Sequence, residues 1–425
     1  MSSRYGTLQS KDRHTMNSMK STNSTSEKNI ENTGMSTYFA DLHIHIGRTE
    51  QGAPVKISGS RNLTFANIAK EAAERKGIQL VGIIDCHSPG VQADIADSLE
   101  QGQMRELEDG GIAYQGTTLL LGSELEIREP GMGPAHLLVF FPYFETMRSF
   151  TEWLQPRMKN VQLSSQRVYV PARELQAEVY ARGGLVIPAH IFTPHRSIYG
   201  SCAPRMADVL DPGLISAVEL GLSADSEMAG LISELDQYTI LTNSDAHSLG
   251  KIGREYNELI LQAPTYREFE QALGGRNGRR VAGNYGLNPR LGKYHRTYCG
   301  NCSYIIDEAE ASVERCPYCG SSKLVRGVLD RILSLADRPE PSVPACRPPY
   351  HYQVPLEFIP GLGPAKLNQL LAAFGTEMNI LHKVSRSQLS EVVGEELADK
   401  ISAARAGTLH LQAGGGGIYG KVAKE

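Results

Sequence analysis

From residue 38 to about 262, short and nearly continuous apolar runs alternate with longer stretches of helical periodicity. The runs at 39–46, 80–86, 118–127, 137–141, 185–189, 217–220 and 239–242 predict seven strands. Between the first two, residues 66–76 set Ile68, Ala69, Ala72 and Ala73 on one helical face. Strand and helix repeated this often predict an α/β fold of parallel βα units, closed into a barrel or wound into an open sheet. Strands with almost no polar alternation are expected where both sheet faces are covered.

The flanks read differently. Residues 1–36 are rich in Ser, Thr, Asn and Lys and carry no apolar period, so they are expected to be a disordered leader. They hold no apolar signal core, and Met35, directly before the first strand, is expected to be the true start of translation. A barrel domain is expected over 37–270. Residues 271–306 contain no Asp or Glu but carry Arg276, Arg279, Arg280, Arg290, Lys293 and Arg296 among tyrosines. This basic segment and a cysteine module fill 271–335. Pro339, Pro341, Pro344, Pro348 and Pro349 mark 336–355 as a stiff linker, and 356–425 reads as a compact helical domain with a glycine-rich tail.

Charge and composition narrow the field. Lys and Arg number 43 against 47 Asp and Glu, a net charge of −4, so any surface for a polyanion must be local. The longest apolar runs are far too short to cross a bilayer, so no membrane role is expected. Seven cysteines, four of them in two Cys-x-x-Cys pairs, suit a reducing cytoplasm and a metal better than a disulfide framework.

The candidate chemistry sits at the strand ends. His43 and His45 end the first strand, Asp85 and His87 the second, Glu124 the third, and His190 the fifth; Asp245 and His247 end the last, while His136 opens the fourth. In a βα barrel the C-terminal strand ends converge on one face, and i, i+2 pairs on a strand share a side. Neutral imidazoles and carboxylates together are the donors that zinc, manganese or iron accept. A bridging carboxylate such as Glu124 allows two ions, which can clamp both oxygens of a phosphoryl displacement. Ser164, Ser165, Gln166 and Arg167 form a polar run that reads equally well as a substrate-reading loop or a solvated one.

The segments FADLHIHIG, IIDCHSP, GSELEIRE, AHLL, IPAHIFTPH and TNSDAHS follow the motif order of the PHP (polymerase and histidinol phosphatase) family, which the chain resembles over 38–250. The resemblance implies a distorted (βα)7 barrel holding two or three divalent metals, zinc first, with manganese or magnesium as alternatives. It implies one ion on His43, His45, Glu124 and Asp245, and a second shared by Glu124 with His136 and His190. A third would rest on His87 and His247 with Asp85. Asp245, Glu124 and His247 would carry the catalysis. Family members often have a further His or Asp after the first His-x-His, where this chain has Gly47, Arg48 and Thr49.

Cys299, Cys302, Cys316 and Cys319 have the pairing of a structural zinc site. FIPGLGPAKLNQLLAAFG resembles a helix-hairpin-helix, in which Gly361 and Gly363 would permit a tight turn and expose amides, beside Lys366, to a DNA phosphate. A degenerate copy around VVGEELADKI carries Glu395 and Glu396, which would repel phosphate. Arg279 and Arg280 are expected to add a basic DNA surface beside the barrel mouth. Barrel, zinc module and hairpin in this order, with VKISGSRNLTF, MKNVQLSSQR and AGGGGIYGKV, resemble the endonuclease Q family of repair enzymes. That resemblance implies incision 5′ to deoxyuridine, deoxyinosine, deoxyxanthosine or an abasic site, in double- or single-stranded DNA in the cytoplasm. Two alternatives compete: a phosphatase for small monoesters, which leaves the zinc module and hairpin unexplained, and a non-catalytic DNA-binding accessory protein, which the intact ligand set opposes.

Overall fold

The computed structural model describes residues 34–306 and 313–423. The expected leader and its disorder fall almost wholly on 1–33, outside the described residues, and the first strand begins at Ser36. Seven strands line the barrel: β1 Ser36–Ile44, β2 Leu80–Ile83, β3 Thr117–Ile127, β4 Ala135–Phe141, β5 Leu185–Pro188, β6 Val218–Glu219 and β7 Ile240–Leu241. Strands β1, β2 and β3 are parallel, as are β6 and β7. Backbone bonds from Ser216 to Val186 and from Ile191 to Glu219 join β5 to β6. The chain after β7 closes the ring beside β1, where His45 and Ala246, then Ala246 and His43, exchange bonds of 3.0 Å.

One strand departs from the expected parallel pattern. β4 runs antiparallel to both β3 and β5, with Glu126 opposite His136. The connection from Ile127 to Ala135 is too short for a crossover, which needs a dozen or so residues, so the chain reverses as a hairpin. That reversal puts the start of β4 at the same barrel end as the finish of β3.

Ala40 and Leu42, with Leu80, Leu120, Leu138, Ile187, Ala217 and Leu241, form one buried cluster drawn from every strand position around the ring, and it fills the barrel. Neighbouring residues such as Val81, Leu119, Val139 and Val186 belong to the other cluster and meet the surrounding helices, among them Pro89–Glu100, Phe144–Leu154 and Ala172–Ala181. Coverage on both faces explains the unbroken apolar runs.

Outside the ring, β8 Tyr256–Leu261 pairs antiparallel with the start of β1, β9 Arg280–Gly286 with β8, and β10 Tyr350–Tyr352 parallel with β9. The proline-rich segment is no free spacer. It lies along residues 230–238, held by Arg338 on Asp236 (2.7 Å), Arg347 on the Leu235 carbonyl (2.9 Å) and Ser342 on Gly230 (2.9 Å). The C-terminal helices Pro364–Phe374, Glu377–His382, Arg386–Val393 and Glu395–Arg405 follow. They dock on the barrel through a buried Lys76–Glu377 pair at 3.0 Å and through His382, which stacks on Phe39 and bonds the Tyr256 hydroxyl at 2.7 Å.

Candidate metal centre

Seven of the nine expected ligands converge at the mouth. Glu124 Oε1 lies 2.7 Å from His136 Nδ1, 3.3 Å from His190 Nε2 and 3.6 Å from His43 Nε2. Its other oxygen lies 3.6 Å from His45 Nε2. Asp245 Oδ1 stands 3.5 Å from His43, His45 and His247 alike. Three overlapping donor groups result: His43, His45 and Glu124; Glu124, His136 and His190; and His45, Asp245 and His247. The reversed β4 is what brings His136 to Glu124. Burial alone would push the Glu124 carboxyl upward, but His136 and Lys56 outweigh it and hold it well below the ordinary range.

Whether an ion fits can be judged from the rings themselves. The Nε2 atoms of His43, His45 and His136 are buried without a hydrogen-bond partner. On the far side, Glu219 takes His43 Nδ1 at 3.0 Å and Asp85 takes His45 Nδ1 at 3.1 Å. Carboxylates behind both rings leave the free Nε2 atoms facing the cluster, the arrangement that orients imidazole toward a metal. The donor set fits divalent metals.

Asp85 and His87 stand outside the three donor groups. Regular β2 ends at Ile83, so the i, i+2 alternation assumed for Asp85 and His87 no longer holds there. Asp85 is buried beneath His45, accepts the Ile46 amide at 2.8 Å, and belongs to none of the three donor groups. Burial would raise its pKa, yet the His45 pairing lowers it to about 2. His87 turns its Nε2 to the Leu163 carbonyl at 3.3 Å and is likewise outside the groups.

Sequence reasoning missed Glu219 and Lys56. Glu219 was legible as a lone acid in an apolar strand; it also accepts from Asn243 (2.7 Å) and the His190 amide (2.9 Å). Lys56 has no strand-end signature, yet its Nζ stands 3.3 Å from Glu124 and 2.6 Å from Ser165 Oγ, which in turn donates to Glu124. Backbone strain marks the same region. Among the described residues seven non-glycines have positive φ, and four of these are His190, Asp245, Ser165 and Arg196. Strain of this kind gathers at functional sites. A cavity of about 560 Å³ beside the ligands is lined by Lys56, Glu126, Ser165, Gln166, Arg167 and Arg196, among others.

The remaining expected residues lie elsewhere. Cys299, Cys302, Cys316 and Cys319 gather with Sγ–Sγ distances of 3.6 and 3.7 Å between opposed pairs. Zinc–sulfur bonds of about 2.3 Å in a tetrahedron require about 3.8 Å. Gly361, Gly363 and Lys366 are all exposed, ahead of and within the helix Pro364–Phe374. Only Gly361, with φ +89°, needs glycine; Gly363 has φ −75° and open space where a Cβ would sit. The basic surface beside the mouth is also corrected. Arg280 pairs in register with Ile260, which faces Thr37 at the start of β1, the end opposite the ligands. Its neighbour Arg279 is taken up by Glu268 at 2.9 Å. From that stretch Lys293 comes nearer the mouth, over the Tyr419 ring, whose hydroxyl accepts from Arg254; Arg254 in turn holds the Ser244 and Asp245 carbonyls.

A seven-stranded barrel with these donors gathered at its mouth defines the class, an α/β barrel with a candidate metal centre. The chain superposes on the lesion-specific endonuclease PfuEndoQ of Pyrococcus furiosus with a TM-score of 0.79 and 32% identity, over 91% of this chain and 95% of that one. It belongs to the endonuclease Q family and is a hydrolase. A complex of endonuclease Q with a 27-mer duplex carrying an abasic lesion gives the same TM-score, 0.79, at 31% identity over 92% and 97% of the two chains. The uncharacterized protein YqxK of Bacillus subtilis is 51% identical over 390 residues, 91% of this chain and all of that protein. The uncharacterized protein MJ0043 of Methanocaldococcus jannaschii matches 54% of this chain at 34% identity. No protein-family model matches. Among the described residues no helix is long and apolar enough to cross a membrane.

Proposed function

We propose that this protein is a metal-dependent DNA-repair endonuclease that hydrolyses the phosphodiester 5′ to a deaminated base, namely deoxyuridine, deoxyinosine or deoxyxanthosine, or to an abasic site. The observation that carries the reading is the cluster of seven donors in which the unpartnered Nε2 atoms of His43 and His45 face Glu124 and Asp245. His43, His45, Glu124 and Asp245 would hold one divalent ion and Glu124, His136 and His190 a second, with His247 joining Asp245 and His45 at a third. Bound there, such ions supply an activated water and neutralise charge on the phosphate. The chain's own groups do the rest. Glu219 and Asp85 fix the His43 and His45 rings. Lys56, steered by Ser165, places a cation beside the reacting phosphate. The adjoining cavity receives the lesion nucleotide once it leaves the duplex, an exit cheapest where pairing is already weak. The exposed turn at Gly361 to Lys366 grips undamaged backbone and carries no base information.

The test is cleavage of labelled duplexes containing one deoxyuridine, deoxyinosine, deoxyxanthosine or abasic site, or none, by the metal-loaded protein. A single nick 5′ to each lesion and none in the control is expected. Asp245→Ala is expected to cut the rate below a few per cent of wild type while leaving duplex affinity nearly intact. Equal cleavage of the undamaged duplex, or release of phosphate from small esters alone, would overturn the reading.

A further inference from the structure

Ile57 is the most exposed large apolar side chain among the described residues, at 80%. Its setting makes that exposure notable. Ile57 and Ser58 occupy the corner of a tight turn closed by the Gly59 amide on the Lys56 carbonyl at 2.9 Å, a place where small polar residues or proline are the usual choice. The turn is pinned on both flanks to the strand ends that carry the ligands. Lys56 donates to the Ile46 carbonyl (2.8 Å), Val55 to Gly47 (3.1 Å) and Ser60 to the His247 carbonyl (2.8 Å). Backbone packs on backbone beneath it: a Cβ on Gly47 would lie 2.0 Å from the Ser60 carbonyl oxygen. Exposure on a flexible loop would carry little meaning; here the side chain is presented by a turn that cannot swing away.

Its position is equally specific. The preceding residue, Lys56, touches Glu124, and Ile57 lies on the rim of the 560 Å³ cavity. A nucleotide drawn into that cavity leaves a gap in the base stack directly above the ligands. An open gap invites the nucleotide to return, and an apolar side chain filling it removes the incentive, as inserted Ile, Leu or Phe wedges do in other DNA complexes. We infer that Ile57 is an insertion residue that enters the duplex where the lesion nucleotide has left it and holds the extruded state. The inference rests on the lesion-endonuclease reading above. Ile57 touches neither the metal ligands nor the reacting phosphate in this role; it acts by positioning.

A wedge matters only where there is a stack to wedge. The experiment therefore compares cleavage of deoxyuridine in a duplex and in a single strand of the same sequence by wild type, Ile57→Ala and Ile57→Leu, with metal content measured for each. Ile57→Ala is expected to lose about tenfold on the duplex and little on the single strand. Ile57→Leu should recover most of the loss, and metal content should not change. A second readout is 2-aminopurine placed next to the lesion. Its fluorescence should rise on binding wild type, as unstacking relieves quenching, and rise less with Ile57→Ala. Equal losses on both substrates, or none on either, would overturn the inference. Absence of lesion cleavage by wild type would instead overturn the functional reading beneath it.

Discussion

Glu219 and Asp85 illustrate how much of this site lies one residue behind the donors. Each carboxylate accepts a hydrogen bond from the Nδ1–H of a buried imidazole and so dictates which nitrogen faces the cluster. Replacing Glu219 with Gln keeps the shape but removes the charge, and metal affinity is expected to fall about 10- to 100-fold. Metal per chain after dialysis against graded chelator measures this; retention equal to wild type would show that the ring is fixed by packing alone. The seven converging donors were legible in the sequence because imidazoles and acids at successive strand ends have few other reasons to be there. Asp85 stands outside the donor groups because regular alternation stops at Ile83, the last residue of β2. Lys56 was invisible for a simpler reason: a lysine in a polar loop shows its partner only when the fold brings Glu124 and Ser165 to it.

At the scale of elements, apolar runs located all seven barrel strands to within a few residues, because strands covered on both faces cannot hide in composition. Direction was less legible. The reversal of β4 follows from the length of a loop, and alternating strand and helix signals obscured it. Of the three residues after the first His-x-His, Gly47 gains a physical account, since the Ile57 turn lies against the strand end there and no side chain fits. The hairpin motif was located correctly, but one of its two glycines was given the wrong burden. Gly361, at φ +89°, is the residue that a side chain would strain, by about 1–3 kcal/mol. Gly361→Val is therefore expected to weaken binding to damaged and intact duplex alike, with the preference for lesions preserved. Fluorescence anisotropy on matched duplexes tests it, and a selective loss on lesion DNA would move the lesion reader into the hairpin.

The whole molecule is more tightly joined than its sequence segments advertise. Sequence boundaries suggested a barrel and a helical domain separated by a spacer, yet the spacer is strapped to the barrel and the helices are docked on it. Lys76 and Glu377, 301 residues apart, form a largely buried pair, with Lys76 also bonding the Gly250 carbonyl three residues beyond His247. Removing Lys76 leaves the buried Glu377 carboxylate only the more distant Arg75, at 3.9 Å, so Lys76→Met is expected to cost up to about 3–5 kcal/mol. Lys76→Met combined with Glu377→Met should regain most of it. Denaturant midpoints for the two single variants and the double variant close the cycle; additive losses would mean the pair contributes nothing as a pair. The same joint argues against cutting the chain at 356 to isolate the barrel, because that cut bares Phe39 and Tyr256 where His382 now packs.

That aromatic seam has a consequence for the newborn protein. Phe39, Tyr256 and Tyr285 sit in the barrel wall, but His382 arrives nearly a hundred residues after the last of them. While the ribosome is still translating the four-cysteine module and the proline strap, the barrel wall waits with its aromatic rings open to water. Contacts of such sequence separation form slowly and leave apolar surface available to wrong partners meanwhile. Nascent chains stalled before residue 377 should therefore bind chaperones and resist release, whereas chains stalled beyond the last helix should let go, making the C-terminal helices the protein's own cover for its unfinished half.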